Sequence, residues 1–174
     1  MGRKRYWIAA VAAVVCLAGV WGVKAFGQLS EKQWSLAEIE AVSIFVQGLT
    51  EETKKAGLRS ERIRTELEKR LKELGIRVAS QEDAARLAGS PVVYVNISAF
   101  KIERTPEYVY RAEVGLLQQV TLVRDRQIRI MSITWNKGRL GYCPSRTLVK
   151  SVRETVGYLM DGFSEDYKAA NPGA

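Results

Sequence analysis

Acidic side chains and one cysteine are the groups in this chain that could do chemistry, because none of its 174 residues is histidine. Histidine is the commonest metal ligand and the commonest general base at neutral pH, so its absence removes the usual zinc and acid–base sites. Cys143 stands alone outside an amino-terminal apolar run that holds Cys16. We therefore expect Cys143 to be a small, inert and partly buried thiol without an internal disulfide.

Three pairs of acidic residues could act as acid and base or hold a divalent cation. The pairs are Glu38 and Glu40, Glu51 and Glu52, and Glu82 and Asp83. Acidic residues at the ends of helices and strands are far more often simply exposed, and the third pair fits the first turn of a helix, where the helix dipole favours it. The nucleophile-elbow, phosphate-loop and dinucleotide-binding glycine motifs are also absent. We expect no catalytic, cofactor or metal site.

A second class of candidates is a recognition loop between residues 135 and 143. The stretch WNKGRLGYC combines aromatic, cationic and glycine residues, a mixture that is typical of binding loops. The residues expected to contact a partner are Trp135, Lys137, Arg139 and Tyr142. The alternative is that Trp135 and Tyr142 close one end of the core while the glycines only make turns.

Arg124, Arg126 and Arg129 form a predicted basic patch at the end of a hairpin. Such a patch could contact anionic lipid or an acidic partner, and each basic group near an anionic membrane contributes about 1 kcal/mol. The alternative is that these charges keep the protein soluble and protect a sheet edge. A peptide could also add to a free edge of the predicted sheet.

These candidates have to be positioned by a sheet, which the alternation of side chains predicts. Apolar residues alternate with polar or small ones over 91–100 and 108–123, which indicates two long antiparallel strands joined by a charged connection. Shorter strands are predicted at 40–48, 76–79 and 128–135, with a charged turn at 123–127 and a turn-rich loop at 136–145.

Two amphipathic helices are predicted to cover this sheet. Apolar residues at helical spacing indicate a helix over 59–74, with Ser60 as its cap and Gly75 at its end, and another over 145–167. A capping box starts a brief helix at residue 80. The order β-α-β-(α)-β-β-β-α predicts an α+β, two-layer sandwich with a mixed sheet of about five strands and helices on one face. The crossover makes the first two strands parallel.

The other face of the predicted sheet carries side chains that are polar enough to meet water. These side chains are Tyr94, Asn96, Ser98, Arg111, Glu113 and Gln119.

The chain divides into four parts by composition. A basic head followed by an apolar run makes residues 1–27 a signal peptide or a membrane anchor, with the 18 uncharged residues 6–23 just long enough to span a bilayer. Residues 28–37 are predicted to be a linker, 38–170 a single domain, and 171–174 a tail that frays. We expect the domain to lie outside the cytoplasm, periplasmic, secreted or anchored to the inner membrane.

Net charge argues against a nucleic-acid binder. The chain carries +8, but Arg3, Lys4, Arg5 and Lys24 in the amino-terminal segment supply four of those charges, which leaves a modest +4 for the rest. With 47% hydrophobic residues, the composition is that of a folded chain.

Three stretches resemble small extracytoplasmic α+β modules of bacterial envelope proteins, such as the amino-terminal domain of TolB. They are VSIFV at residues 42–46, LKELGIRV at 71–78 and VYVNI at 93–97. The resemblance covers residues 40–100, and no β-propeller follows. It implies an extracytoplasmic domain that acts through contacts and not through catalysis.

We therefore predict a non-enzymatic exported or membrane-anchored envelope protein that acts as a protein-binding or assembly module. Its expected partners are another envelope protein and, if the amino-terminal segment is retained, the membrane. A carrier or sensor of a small apolar or lipid ligand held between sheet and helices is one alternative. A carboxylate-dependent hydrolase is the other.

Overall fold

Backbone pairing in the computed structural model gives the five strands that side-chain alternation predicts. The structure describes residues 29–47 and 49–173, so the predicted export or anchor segment lies outside the described residues. The strands are β1 (Ala41–Val46), β2 (Arg77–Val78), β3 (Val92–Lys101), β4 (Glu107–Leu122) and β5 (Asp125–Pro144). In the sheet order β2-β1-β3-β4-β5, β1 runs parallel to β2 and β3, and the other neighbours are antiparallel. The mixed sheet and its parallel first pair are confirmed.

Two long helices cover one face of this sheet. The helices are α1 (Glu31–Trp34), α2 (Glu51–Lys55), α3 (Ser60–Glu73), α4 (Gln81–Ala84) and α5 (Leu148–Ala170), with a 3-10 turn at Ser145–Thr147. α3 lies against β1 and β2, whereas α5 lies against β4 and β5. Their apolar stripes are Ile63, Leu67 and Leu71 in α3 and Val152, Val156, Leu159 and Phe163 in α5. Both stripes share one core cluster with Val42, Val93 and Val114, which confirms the α+β sandwich.

The predicted helix ends are partly correct. Gly75 follows the last turn of α3 with φ +78°, a conformation that glycine adopts without strain. The Ser80 hydroxyl accepts a hydrogen bond from the Asp83 backbone N–H and so caps α4. Ser60, in contrast, is the first residue of α3, and the extended residue before it is Arg59, which makes no side-chain cap.

The predicted loop at 136–145 is wrong, because β5 is one strand of 20 residues. Gly141 does not make a turn. It pairs with Tyr110 of β4, and a Cβ atom at Gly141 would lie 2.2 Å from the Tyr110 ring. Gly141 therefore makes room for the Tyr110 ring, which lies across it. Glycine inside a strand often marks a close approach of this kind.

Most of the predicted linker and the first residue of the predicted tail, Asn171, pack into the domain. Residues Lys32–Ala174 form one compact unit, and Leu36 is fully buried in its core. The Asn171 side chain accepts from the Glu38 backbone N–H at 2.8 Å and donates to the Leu36 carbonyl at 3.0 Å. Asn171 therefore joins the two ends of the compact unit and does not fray.

Beyond β3, the hairpin of β4 and β5 continues as a two-stranded ribbon. The first residue of β3, Val92, pairs with Leu117, so the strand pairing of residues 118–132 lies within the hairpin. At the root of this stretch the Gln119 backbone N–H donates to the Gly89 carbonyl at 2.7 Å, and the Gln118 side chain donates to the Ser35 carbonyl at 2.9 Å. We call residues 118–132 the arm. The turn at its tip is at residues 123–124, inside the predicted charged turn.

Candidate binding surface

The residues predicted to form one recognition loop lie on both faces of β5. Trp135, Lys137 and Arg139 are on the face covered by α5, whereas Tyr142 is on the opposite face, which we call the open face. A strand places successive side chains on alternate faces, so residues that a loop could gather are separated here. The predicted recognition site therefore does not form as a unit.

Trp135 belongs to the core, as the alternative interpretation held. It is 1% exposed, and its ring meets that of Phe163 edge to face at 5.1 Å. Its Nε1–H donates to Asp166 Oδ2 at 3.0 Å, and Lys137 Nζ lies 3.0 Å from the same oxygen. Lys137 is therefore already paired with α5.

Asp166 connects α5 to β5 through these two contacts. No pattern in the sequence predicted this role. Burial alone would raise the pKa of Asp166, but hydrogen bonds from Trp135, Lys137 and Gln33 and the charge of Lys137 outweigh it, so the pKa is lowered. The carboxylate is thus held ionised between a helix, a strand and the segment before β1. A group with three donors around it is suited to structure and poorly placed for acid–base chemistry.

A buried carboxylate, Glu113, organises the open face. Its Oε1 accepts from the Tyr94 hydroxyl at 2.8 Å and from Asn136 Nδ2 at 3.0 Å, and its Oε2 lies 2.6 Å from Arg111. We call Tyr94, Arg111, Glu113 and Asn136 the Glu113 cluster. All six predicted open-face residues lie on this face, but Tyr94 and Glu113 are only 8% and 7% exposed. The middle of the face is therefore a packed polar network and not a wetted surface.

The charges of the Glu113 cluster are fixed by this packing. Burial would raise the pKa of Glu113, but the hydrogen bonds from Asn136 and Tyr94 and the charge of Arg111 lower it overall. Burial, together with the carboxylate of Glu113, raises the pKa of Tyr94 to about 12. Glu113 is thus ionised and Tyr94 neutral at any physiological pH.

One end of the open face carries exposed apolar side chains, of which the sequence predicted only Tyr142 as a contact residue. Phe100, Val109 and Tyr142 are direct cross-strand partners on β3, β4 and β5, and Leu140 lies two residues before Tyr142. Phe100 is 68%, Leu140 71% and Tyr142 58% exposed. We call Phe100, Val109, Leu140 and Tyr142 the apolar row. Neighbouring exposed apolar residues of this kind mark interaction surfaces more often than isolated ones do.

The other end of the open face has a mostly apolar depression of about 320 Å³ at the root of the arm. Phe45, Val92, Leu117 and Met131 line it, and α4 with the following Ala85 borders it. Phe45 and Met131 are about half exposed. The open face is therefore apolar at both ends and polar in the middle.

The predicted basic patch lies at the tip of the arm. Arg124, Arg126 and Arg129 are all exposed, and within the described part of the chain none of them makes an ion pair. Val123 beside them is 97% exposed. The hairpin end that the sequence predicts for these arginines is where the structure places them.

The acidic pairs considered as catalytic candidates do not converge. Glu51 binds Lys54, and Asp83 binds the cap residue Ser80, each within its own helix. Among residues 29–47 and 49–173 no group of three or more acidic or cysteine side chains could hold a metal ion. No helix in these residues is long and apolar enough to cross a membrane.

Comparisons with known proteins give no indication of function. No protein-family model matches the chain, and no curated protein is significantly similar to it.

Proposed function

We propose that this chain is a non-enzymatic, exported or membrane-anchored envelope protein that binds another envelope protein. The observation that supports this proposal is the outer part of the sheet, where the 20-residue strand β5 forms an edge and the apolar row extends across β3, β4 and β5. The leader predicted for residues 1–27 supports the location.

The edge of β5 is suited to contact with another chain. In the described residues β5 has β4 on one side and no strand on the other. An edge strand presents unpaired backbone donors and acceptors, which a partner strand can satisfy. Proteins usually shorten, bend or cover such an edge. A long uncovered edge therefore either binds a partner or carries a risk of aggregation.

The apolar row gives this edge side-chain specificity. Phe100, Leu140 and Tyr142 are large apolar or aromatic side chains, the class that supplies most of the binding energy in protein interfaces. A partner strand added beside β5 would bring its own open-face side chains next to Leu140 and Tyr142. Backbone pairing and side-chain burial would then act together.

The two alternative functions receive less support from the described residues. A carrier needs a cavity between sheet and helices, but Val93, Val95, Val114 and Leu116 there are completely buried. A depression of about 970 Å³ between α3 and α5 is lined mostly by charged side chains of these helices. A hydrolase needs two converging acids, whereas Glu113 and Asp166 lie on opposite faces of the sheet and are both engaged in hydrogen bonds.

Photo-crosslinking from defined positions in intact envelopes tests the proposal. The full chain carries a benzoylphenylalanine at position 140 or 142, with position 69 as the control, because the Lys69 side chain is 80% exposed on α3, which lies against β1 and β2. We expect one protein to be crosslinked from 140 and 142 and not from 69. Leu140→Lys should weaken its capture at least tenfold, since buried anchors contribute about 2 kcal/mol or more, whereas Lys69→Ala should not.

Crosslinking from all three positions alike, or from none, would contradict a partner on this edge. So would a Leu140→Lys variant that captures the same protein as well as the unmodified chain does.

A further inference from the structure

The tip of the arm combines positive charge with exposed apolar side chains. Within residues 118–132 the sequence has three arginines and a single acid, Asp125. Asp125 is used locally, because its Oδ1 accepts a hydrogen bond from the Gln127 backbone N–H at 2.9 Å. The tip therefore carries a net positive charge that nothing in the described part of the chain neutralises.

Exposed apolar side chains of the arm are neighbours of these arginines in the sequence. Val123 at the turn is 97% exposed, and Ile128 and Ile130 are 40% and 44% exposed. Val120 and Ile130 are direct cross-strand partners, as are Thr121 and Arg129 on the other side of the ribbon. Solubility alone would favour polar residues at these positions. A role in solubility therefore explains the arginines but not the exposed apolar side chains.

We propose that the tip of the arm docks on an anionic lipid surface, with Val123 and its apolar neighbours in the interface and Arg124, Arg126 and Arg129 at the headgroup phosphates. Apolar side chains enter the boundary between headgroups and acyl chains, while arginines extend their guanidinium groups to the phosphates. The arm projects past β3. It can therefore reach a flat surface without disturbing the sheet.

An acidic protein is the other partner that the charge would fit, but the shape favours lipid. A protein partner for an apolar residue at the end of a ribbon has to provide a matching pocket, whereas a membrane accepts any convex apolar tip. This docking does not rest on the proposed protein partner, which involves the edge of β5 and the apolar row. Either can fail without the other.

A fluorescent label at the tip tests the docking. The full chain with Cys16→Ser and Val123→Cys is labelled with nitrobenzoxadiazole, because Cys143 is buried and only 4% exposed. The chain is reconstituted in phosphatidylcholine vesicles with and without about one quarter phosphatidylglycerol, and nitroxide-labelled lipids serve as quenchers. We expect a blue shift and lipid quenching at position 123 in the anionic vesicles, both reversed by high salt.

A label at position 69 provides the matched control, because the Lys69 side chain is 80% exposed on α3, away from the arm. A leader that merely keeps the chain near the membrane would affect both labels alike, so only docking of the arm separates them. Each Arg→Gln substitution at 124, 126 or 129 should lower the partitioning of the tip about fivefold, and Arg→Lys should largely restore it.

Three results would overturn the proposal. The label at 123 could remain as aqueous as the label at 69 in anionic vesicles. It could be quenched equally without phosphatidylglycerol and with the arginines replaced. It could respond to polyglutamate but not to vesicles, which would assign the tip to an acidic protein.

Discussion

In the sequence, Glu113 looks like part of a functional surface. In the fold it has a structural role. An acid in the middle of a strand, beside a tyrosine and an arginine, could have lined an exposed polar site. In the structure Tyr94, Asn136 and Arg111 engage both of its oxygens, and the residue is only 7% exposed. Its role is therefore to hold three strands in register on the open face.

Replacing Glu113 by glutamine should destabilise the domain at neutral pH. Because the pKa of Glu113 is lowered from 4.5, its contribution is complete above pH 4.5 and is lost as the pH falls through the folded-state value. We expect Glu113→Gln to cost about 1–3 kcal/mol at pH 7, with a smaller difference in acid. Urea unfolding at several pH values measures this. Glu154→Gln, at an exposed position on α5, should change little at any pH.

Gly115 permits the Tyr94 ring to reach Glu113. The two residues are cross-strand partners, and a Cβ atom at Gly115 would lie 2.2 Å from the ring. Because the ring is held by its hydrogen bond, it cannot move without losing Glu113. We expect Gly115→Ala to cost about 1–3 kcal/mol in chemical unfolding. Gly138→Ala is the control, since its nearest atoms lie at 3.6 Å or more, and equal losses at both positions would refute this explanation.

At the scale of elements, side-chain periodicity predicted strands and helices correctly where one face of the element is buried. The predicted ranges 91–100 and 108–123 differ from β3 and β4 by one residue at each end, and the buried stripe of α3 is as predicted. The carboxyl-terminal half of β5 was missed because Gly138 and Gly141 are typical of turns. Their partners, Glu113 and Tyr110, are distant in sequence, so no local pattern could show why glycine is there.

The attachment of α5 to β5 through Asp166 gives a prediction at this scale. Asp166→Ala leaves the buried Trp135 N–H without its acceptor and Lys137 without its ion pair. We expect a loss of about 2–3 kcal/mol, measured by urea unfolding, because a buried donor loses its partner. Asp161→Ala on the same helix removes an exposed pair with Arg70 and should cost less than about 1 kcal/mol. A reversed order of the two losses would contradict this assignment.

At the scale of the whole molecule, the sequence predicted the fold class. It did not predict the contacts that close the domain between the segment before β1 and the end of α5. The predicted linker has Leu36 in the core, and Gln33 donates to Asp166 at 2.8 Å. The predicted tail contains Asn171, which binds the backbone at both Leu36 and Glu38. Contacts between the two ends of a compact unit have no periodic signature, so composition could only suggest polar, mobile segments there. The candidate surface was predictable in the same partial way, because the arginines and Tyr142 were found while Phe100, Val109 and Leu140 were missed.

Two truncations test this closure. Removing residues 171–174 deletes the Asn171 side chain that holds the segment before β1, and we expect a loss of about 1–3 kcal/mol and a lower melting temperature. Removing residues 172–174 keeps Asn171 and should leave thermal unfolding almost unchanged. If both truncations behave alike, the two ends are not joined as described.

Thr134 is the extra residue of a bulge, where the pairing with β4 shifts between Leu116 and Leu117. Odd-numbered residues after it, such as Trp135, face the helices, whereas Ile133 and Met131 before it face the other way. The ladder absorbs this extra residue without turning the arm over, because Ile133 still lies opposite Leu117. A chain shortened by Thr134 alone would therefore lose the bulge and its local twist, yet keep every side chain of the projecting ribbon on its present face.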